Sequence, residues 1–393
     1  MPDPMRAQNR KAIVDCLRRH GAAARIELSE KIGISPATVT IITSGLLEDG
    51  VIREEKSAPE REGTSRGRPR TRLELNPEAG FAVGIKVSMH QASVSLTNLS
   101  GDILGEETIP VRANRDTPEW IAEICMTQVR KIITATGIDP ELVLGVGIGI
   151  PGYVEYPSGI VRWAPVFGSP NVPFREIFEK KSGFSTFIDN DANMTALAEK
   201  WFGVGRTFPT FLIVTVEHGV GMGLVVNEKL YRGARGFGAE FGHTKIVVGG
   251  ALCRCGQRGC IEAYASDYAI AREANILGPM VDLDDPIALQ ERIQELIAKS
   301  DAGDATVVSI FERAGTMLGT GIANLVDILD PPIVLLSGAR SQSAQAFFAA
   351  LRRAMAANSL LGTETTVDLR VSASGDEAWA RGAAALVLEE KLI

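Results

Sequence analysis

The stretch GHTKIVVGGALCRCGQRGC, from Gly242 to Cys260, holds His243, Cys253, Cys255 and Cys260 within nineteen residues. The 393-residue chain has only 4 His and 5 Cys, so this loop takes three of the five cysteines. One imidazole and three thiolates make a closed tetrahedral donor set suited to Zn2+, with no position left open for water. The expectation is one structural zinc per chain. Cys-x-Cys can bring two thiolates to one ion only where the backbone folds tightly, and Gly249, Gly250, Gly256 and Gly259 allow that. Reduced cysteines are common in cores, but four ligands clustered with four glycines favour a metal.

Two carboxylates flank the loop: Glu240, three residues before His243, and Glu262, two after Cys260. A loop pinned by a metal can hold such acids rigidly. So fixed, they accept charge-assisted hydrogen bonds from vicinal hydroxyls, each contributing about 1.5–3 kcal/mol. Either Glu alone would more often be a solvated or helix-capping acid. Cys16 and Cys125 stand apart on apolar helix faces, where a core role is expected.

Clustered cysteines used for metal suit a reducing compartment. No stretch approaches the roughly 18 uninterrupted apolar residues of a membrane helix. Arg6, Arg10, Lys11, Arg18 and Arg19 come with no apolar core between them, so no secretory leader is expected. A cytoplasmic protein without a membrane partner is expected. The length allows two or three domains of roughly 150 residues. Net charge is −7, but unevenly spread: residues 1–75 hold 14 Lys/Arg and 11 Asp/Glu, leaving the remainder at −10. A basic head on an acidic body suggests that the head meets a polyanion.

The head reads as three helices and a hairpin. In RAQNRKAIVDCLRRHG, Ala12, Ile13, Cys16 and Leu17 recur at helical spacing and Gly21 ends the run. IELSEKIG is a short helix stopped by Gly33. ISPATVTIITSGLLEDG opens with Ser35 as N-cap and Pro36 at the first helical position. Its buried stripe is Val39, Ile42 and Leu46, and Thr38, Thr40, Thr43 and Ser44 are expected to face outward. This is the helix-turn-helix pattern, whose second helix enters the DNA major groove. VIREE and TRLEL then alternate like hairpin strands. The loop joining them carries Arg66, Arg68, Arg70 and Arg72 at every second position, as in the wing of a winged helix that contacts phosphates or a minor groove. A solvated helical subdomain with a basic linker would share single features of this head but not their order.

The body, from residue 76, alternates short apolar strands with helices. FAVGIKVSMHQASVSLTNLSGDILGEE reads as three strands, PEWIAEICMTQVRKIITATG as an amphipathic helix, and LVLGVGIGIPG as a buried strand entering a Gly/Pro turn. FSTFIDNDANMTALAEKWFGVG is a strand entering a helix, with Asn190 and Asp191 at the junction; TFLIVTVEHGVGMGLVVN is another hairpin. The repeated strand–turn–strand opening predicts an α/β body of two similar lobes around a cleft.

These motifs resemble the ROK family of bacterial repressors and sugar kinases. GVGMGLVVNEKLYRGARGFGAEFGH matches its signature, as do the zinc loop, GIGIPG near residue 147 and NDAN at 190–193. The resemblance spans nearly the whole chain. It implies a winged helix-turn-helix over 1–75 and a two-lobed, actin/hexokinase-like (ribonuclease H-like) ROK body over 76–393. Lobe one would cover about 80–190 plus 378–393, and lobe two about 191–377, with the zinc loop at 243–260. Carried over by position, Asn190, Asp191, Glu240, His243 and Glu262 would line a sugar site, Asp191 standing where the kinases have their general base.

The chain departs from the kinases where nucleotide would bind. Their Asp-x-Gly-Gly-Thr-Lys turn is here Lys86-Val87-Ser88-Met89-His90-Gln91. Both glycines, which let backbone approach phosphates, are replaced, and the acid that helps hold Mg2+ has become Lys86. Their Gly-Thr-Gly turn is Glu217-His218-Gly219, and a third turn reads Ser337-Gly338-Ala339. Phosphoryl transfer depends on such positioning, so the chain is expected not to be an enzyme. It is expected to be a sugar-responsive regulator of the family's repressor branch, similar to the xylose and N-acetylglucosamine repressors. Its partners would be an operator duplex, a sugar effector and copies of itself as a homodimer or homotetramer. The alternatives are an active sugar kinase carrying a DNA-binding head, and a regulator switched by a protein partner. After Ala164-Pro165, Val166-Phe167 stand where many family members have Asn-Leu, leaving the effector open.

Overall fold

In the head, apolar side chains at helical spacing bury one face of each of three helices. α1 (Pro4–His20) ends at Gly21, and α2 (Arg25–Ile32) follows a two-residue strand, β1 (Ala23–Ala24). Glu27 reaches back to accept from the Ala24 N–H at 3.2 Å, and Gly33, at φ +75°, stops α2. α3 (Pro36–Glu48) begins at Ser35, whose hydroxyl accepts from the Thr38 N–H at 3.2 Å. Strands β2 (Ile52–Glu54) and β3 (Arg72–Leu75) pair antiparallel, with β1 on the other edge of β3. Ile13, Leu17, Leu28, Val39, Leu46 and Leu73 form the head's core. The computed structural model describes residues 4–55, 71–338, 344–360, 367–372 and 377–392. Arg66, Arg68 and Arg70 therefore lie outside the described residues.

The expected outward stripe of α3 needs one correction. Thr43 is fully buried: its hydroxyl accepts from Arg25 Nε at 3.0 Å and donates to the Thr40 carbonyl at 3.2 Å. Three positions before Leu46 and four after Val39, it sits on the packed face, and the guanidinium of α2 supplies the partner that a buried hydroxyl requires. A base edge cannot reach it.

The body continues through β4 (Phe81–Val87), β5 (Gln91–Asn98), β6 (Ile103–Pro110), α4 (Pro118–Thr136) and β7 (Val143–Ile150). Next come β8 (Tyr153–Glu155), β9 (Ile160–Trp163), α5 (Phe174–Ser182), β10 (Thr186–Asn190) and α6 (Asp191–Phe202). β11 (Phe211–Val216), β12 (Val220–Val226), β13 (Lys229–Leu230), α7 (Glu262–Ala265), α8 (Asp267–Leu277) and α9 (Pro286–Asp301) follow. The chain ends with α10 (Ala305–Leu329), β14 (Ile333–Ser337), α11 (Gln345–Asn358), β15 (Asp368–Val371) and α12 (Glu377–Lys391).

Two compact units result. One comprises Met1–Gly152, Pro157–Asp189 and Trp379–Ile393; the other Tyr153–Tyr156 and Asn190–Ala378. The first carries a five-stranded sheet in the order β10-β7-β4-β5-β6, the second one in the order β13-β12-β11-β14-β15. Both sheets have the same plan. An antiparallel meander opens each (β4-β5-β6, β11-β12-β13), and two later strands add on the side of its first strand. The first added strand is parallel in each, β7 beside β4 and β14 beside β11. That duplication is what the repeated strand–turn–strand opening predicted. In the second unit β12 lies close under α6: a Cβ on Gly223 would stand 2.5 Å from the Cβ of Ala196. Glycine here permits close packing, which seats the N-terminus of α6, and so Asp191, over the sheet.

Candidate functional site

The donor atoms of His243, Cys253, Cys255 and Cys260 all lie within 4.8 Å of one another. Cys253 Sγ is 3.7 Å from His243 Nδ1, and Cys255 Sγ 3.8 Å from Cys260 Sγ. Donors bound tetrahedrally to one ion at 2.0–2.3 Å stand about 3.3–3.8 Å apart, so the residues fit a single small cation. Short antiparallel bridges, Lys245 to Cys260 and Leu252 to Arg258, fold the loop back on itself. Gly259 is required twice over: it adopts φ +80°, and a Cβ there would overlap the Val247 carbonyl.

Side chains outside the four donors hold the knuckle in place. The Tyr264 hydroxyl accepts from the Ala251 N–H at 2.8 Å, and the Tyr268 hydroxyl lies 3.7 Å from Cys253 Sγ. Lys245 Nζ donates to the His243 carbonyl at 2.9 Å and to Cys260 Sγ at 3.1 Å. Burial pushes the Cys253 thiol well up, and the Glu262 charge adds to this. A divalent cation at the four donors would reverse that balance and bind the thiolate.

Against this knuckle, within the second unit, the structure gathers three acids. Asp191 is the first residue of α6, an N-terminus that favours negative charge, and Asn190 caps the helix by accepting from the Ala192 N–H at 2.8 Å. Glu240 leads into the short helical turn Phe241–His243, and Glu262 opens α7 as a buried carboxylate. Burial, and then the charges of Asp191 and Glu262, push the Glu240 carboxyl up to about 7. The Glu240 carbonyl accepts from the His243 N–H at 3.1 Å. Glu262 faces both ways, with Oε2 accepting from the Val220 N–H at 3.2 Å and Oε1 standing 3.3 Å from Cys253 Sγ.

Sequence reasoning missed two residues here. Tyr153 packs edge-on against Phe237, ring centres 6.1 Å apart, and burial followed by the Glu240 charge raises its phenol. Lys245 follows His243 by two positions, a spacing that could have marked it as a partner for the thiolates. Half-buried to buried acceptor-rich groups beside an aromatic pair can hold a polyhydroxylated molecule through several charge-assisted bonds at once.

On the head, Thr40 and Ser44 are exposed and Thr38 half-buried. The Thr38 hydroxyl is paired with Ser35 at 2.8 Å, and that of Thr40 donates to the Pro36 carbonyl at 2.8 Å. Arg72, expected in the basic wing, is tied down by Glu55 at 3.1 Å and by the Ala22 carbonyl.

Residues 82–390 match the ROK family profile, and residues 6–53 match a winged helix-turn-helix DNA-binding profile. The chain belongs to the ROK family. Among ROK relatives, it is 31% identical to a putative xylose repressor of Caldicellulosiruptor sp. (strain Rt8B.4), over 98% of this chain and 96% of that one. A ROK family transcriptional regulator described as a homolog of the E. coli MLC protein superposes with a TM-score of 0.81 at 25% identity, covering 99% of this chain and 97% of that one. A ROK hexokinase from Thermus thermophilus gives 0.66 at 28% identity, covering 79% of this chain and 98% of the hexokinase. The ROK fold thus accommodates both repressors and kinases. The regulator's match extends through the head; the hexokinase's covers a smaller share of the chain.

Proposed function

We propose that the protein is a sugar-responsive, DNA-binding transcriptional regulator, a repressor released from its operator by a sugar. The observation that carries this reading is the full-length correspondence, head included, with proteins named as repressors and regulators. Asn190, Asp191, Glu240, His243 and Glu262 would receive the effector's hydroxyls, with Asp191 an acceptor and not a base. A helix-turn-helix reader engages paired half-sites as a dimer, so a homodimer or homotetramer is the working state. The sugar can shift DNA affinity only through different affinity for the bound and released states. The four clustered donors suit one structural Zn2+ per chain, which metal analysis of the purified protein would test: stoichiometric zinc supports the assignment, and its absence from folded protein ends it.

The second reading, an active sugar kinase, draws on the hexokinase likeness. Local geometry argues against it. At the β4–β5 turn the Ser88 hydroxyl and N–H both donate to the Gln91 carbonyl, at 2.9 and 2.8 Å, closing the turn on itself. Lys86 Nζ lies 4.0 Å from the centre of the Trp379 ring. In the second unit, a Cβ on Gly338 would come 3.0 Å from Glu217 Cγ, so an acid flanks a turn where kinases meet phosphate. Calorimetric titration with a sugar panel, alongside ADP formation with ATP-Mg2+, separates the readings. Binding of one sugar, lost on Asp191→Ala and unaccompanied by ADP, supports the regulator. ADP formed above the blank supports the kinase.

A further inference from the structure

α3 presents one continuous outward stripe, Ala37, Thr40, Ile41 and Ser44, opposite the buried Val39, Ile42 and Leu46. Ile41 is 63% exposed in the middle of it. An isoleucine held in water at the centre of a helix face contributes nothing to the head's own core.

The stripe also lacks what reads most base pairs. Guanine is read by Arg or Lys, and adenine by Asn or Gln through paired hydrogen bonds. PATVTIITSGLLE contains none of these. Its threonine hydroxyls donate inward as well: Thr40 to the Pro36 carbonyl, and buried Thr43 to the Thr40 carbonyl. With the Thr40 hydroxyl donating to the backbone, the side chain has no donor left for a base acceptor, and it carries a methyl that can pack against an apolar group. The face offers methyl groups at Ala37, Thr40 and Ile41, and the hydroxyl of Ser44. In the major groove the one apolar mark on a base edge is the thymine C5-methyl.

Resting on the reading of the head as a DNA-binding module, we infer that α3 specifies its half-site through thymine methyl groups, with Ile41 the principal contact. Sequence choice at those steps comes from apolar packing, while backbone contacts elsewhere fix the register.

The test begins with the full-length protein selecting duplexes from a random-sequence library. In the enriched site, each thymine is then replaced singly by deoxyuridine, and binding is followed by fluorescence anisotropy. That replacement deletes only the major-groove methyl and leaves base pairing and the minor groove unchanged. At one or more thymines per half-site the affinity should fall about 4-fold, the worth of one buried methyl-sized group. Ile41→Ala, an exposed substitution, should bind thymine and deoxyuridine duplexes alike. If a site is enriched but every deoxyuridine duplex binds as tightly as its parent, the inference fails while the DNA-binding reading stands. If Ile41→Ala keeps the full thymine preference, Ile41 is not the contact and the inference fails. If no duplex is bound, both fail.

Discussion

Glu262 bridges the metal-donor loop and the start of β12 with one carboxylate: Oε1 lies 3.3 Å from Cys253 Sγ, and Oε2 accepts the Val220 N–H. A residue placed this way couples the metal knuckle to the acid cluster. Partners just outside a metal's ligands commonly change affinity by about 10–100-fold when removed. Glu262→Ala should therefore weaken both metal retention and sugar binding, whereas Glu240→Ala, which approaches the loop through its backbone, should weaken sugar binding alone. Chelator competition and calorimetry on the two variants check this. Equal metal loss in both would contradict the coupling.

Lys245 is predicted to stabilise the bound metal through its 3.1 Å contact with Cys260 Sγ. A nearby ammonium offsets the excess negative charge of three thiolates around a dication. Lys245→Met should release metal to a chelator about tenfold faster, and Lys245→Arg should release it at close to the parental rate. Identical release from all three proteins would show that Lys245 plays no part in metal retention.

The buried Thr43 hydroxyl is predicted to hold Arg25 in place and, with it, the packing of α2 on α3. Thr43→Val keeps the volume and loses the bond, at a cost of about 1 kcal/mol. Faster hydrogen exchange of α3 amides would report it. Thr40→Val, on the exposed side, should leave exchange of the core-facing α3 amides nearly unchanged.

These residues show where sequence was informative. Ser35 and Pro36 opened α3 as expected, because a cap is a local interaction that neighbours in sequence decide. The four metal donors were legible from residue type and spacing, and the two lobes from a repeated strand–turn–strand opening. Thr43 was misread because its partner, Arg25, lies on a different helix and polarity alone pointed outward. β1 was missed because two alanines pair with β3 only once the head has closed. Asp191 and Glu240 are far apart in sequence, so the charge that Asp191 imposes on Glu240 emerged only from the fold.

Asp15 is expected to make the head acid-sensitive. Burial opposes its ionisation, but Arg18 and then Arg19 outweigh it and hold the carboxyl below its ordinary 3.8. The carboxyl's folded value is depressed, so its contribution is complete above the ordinary carboxylate range and is lost as pH falls through the lowered value. The protection of α1 amides, relative to their intrinsic exchange rate at each pH, should fall from about pH 4 downward in the parent protein. In Asp15→Asn that protection should already be lower at neutral pH and change less on acidification. A parent-like acid profile in Asp15→Asn would place the sensitivity elsewhere.

A sugar at the acid cluster is proposed to control DNA binding by the head. The most direct measurement is fluorescence anisotropy of a labelled duplex from upstream of the protein's own gene. Bound protein is titrated with monosaccharides, amino sugars and polyols, for the parent and for Asp191→Ala. Release by one compound from the parent, with Asp191→Ala still bound, is the predicted result. DNA binding that ignores the whole panel, or release that persists in Asp191→Ala, would contradict it.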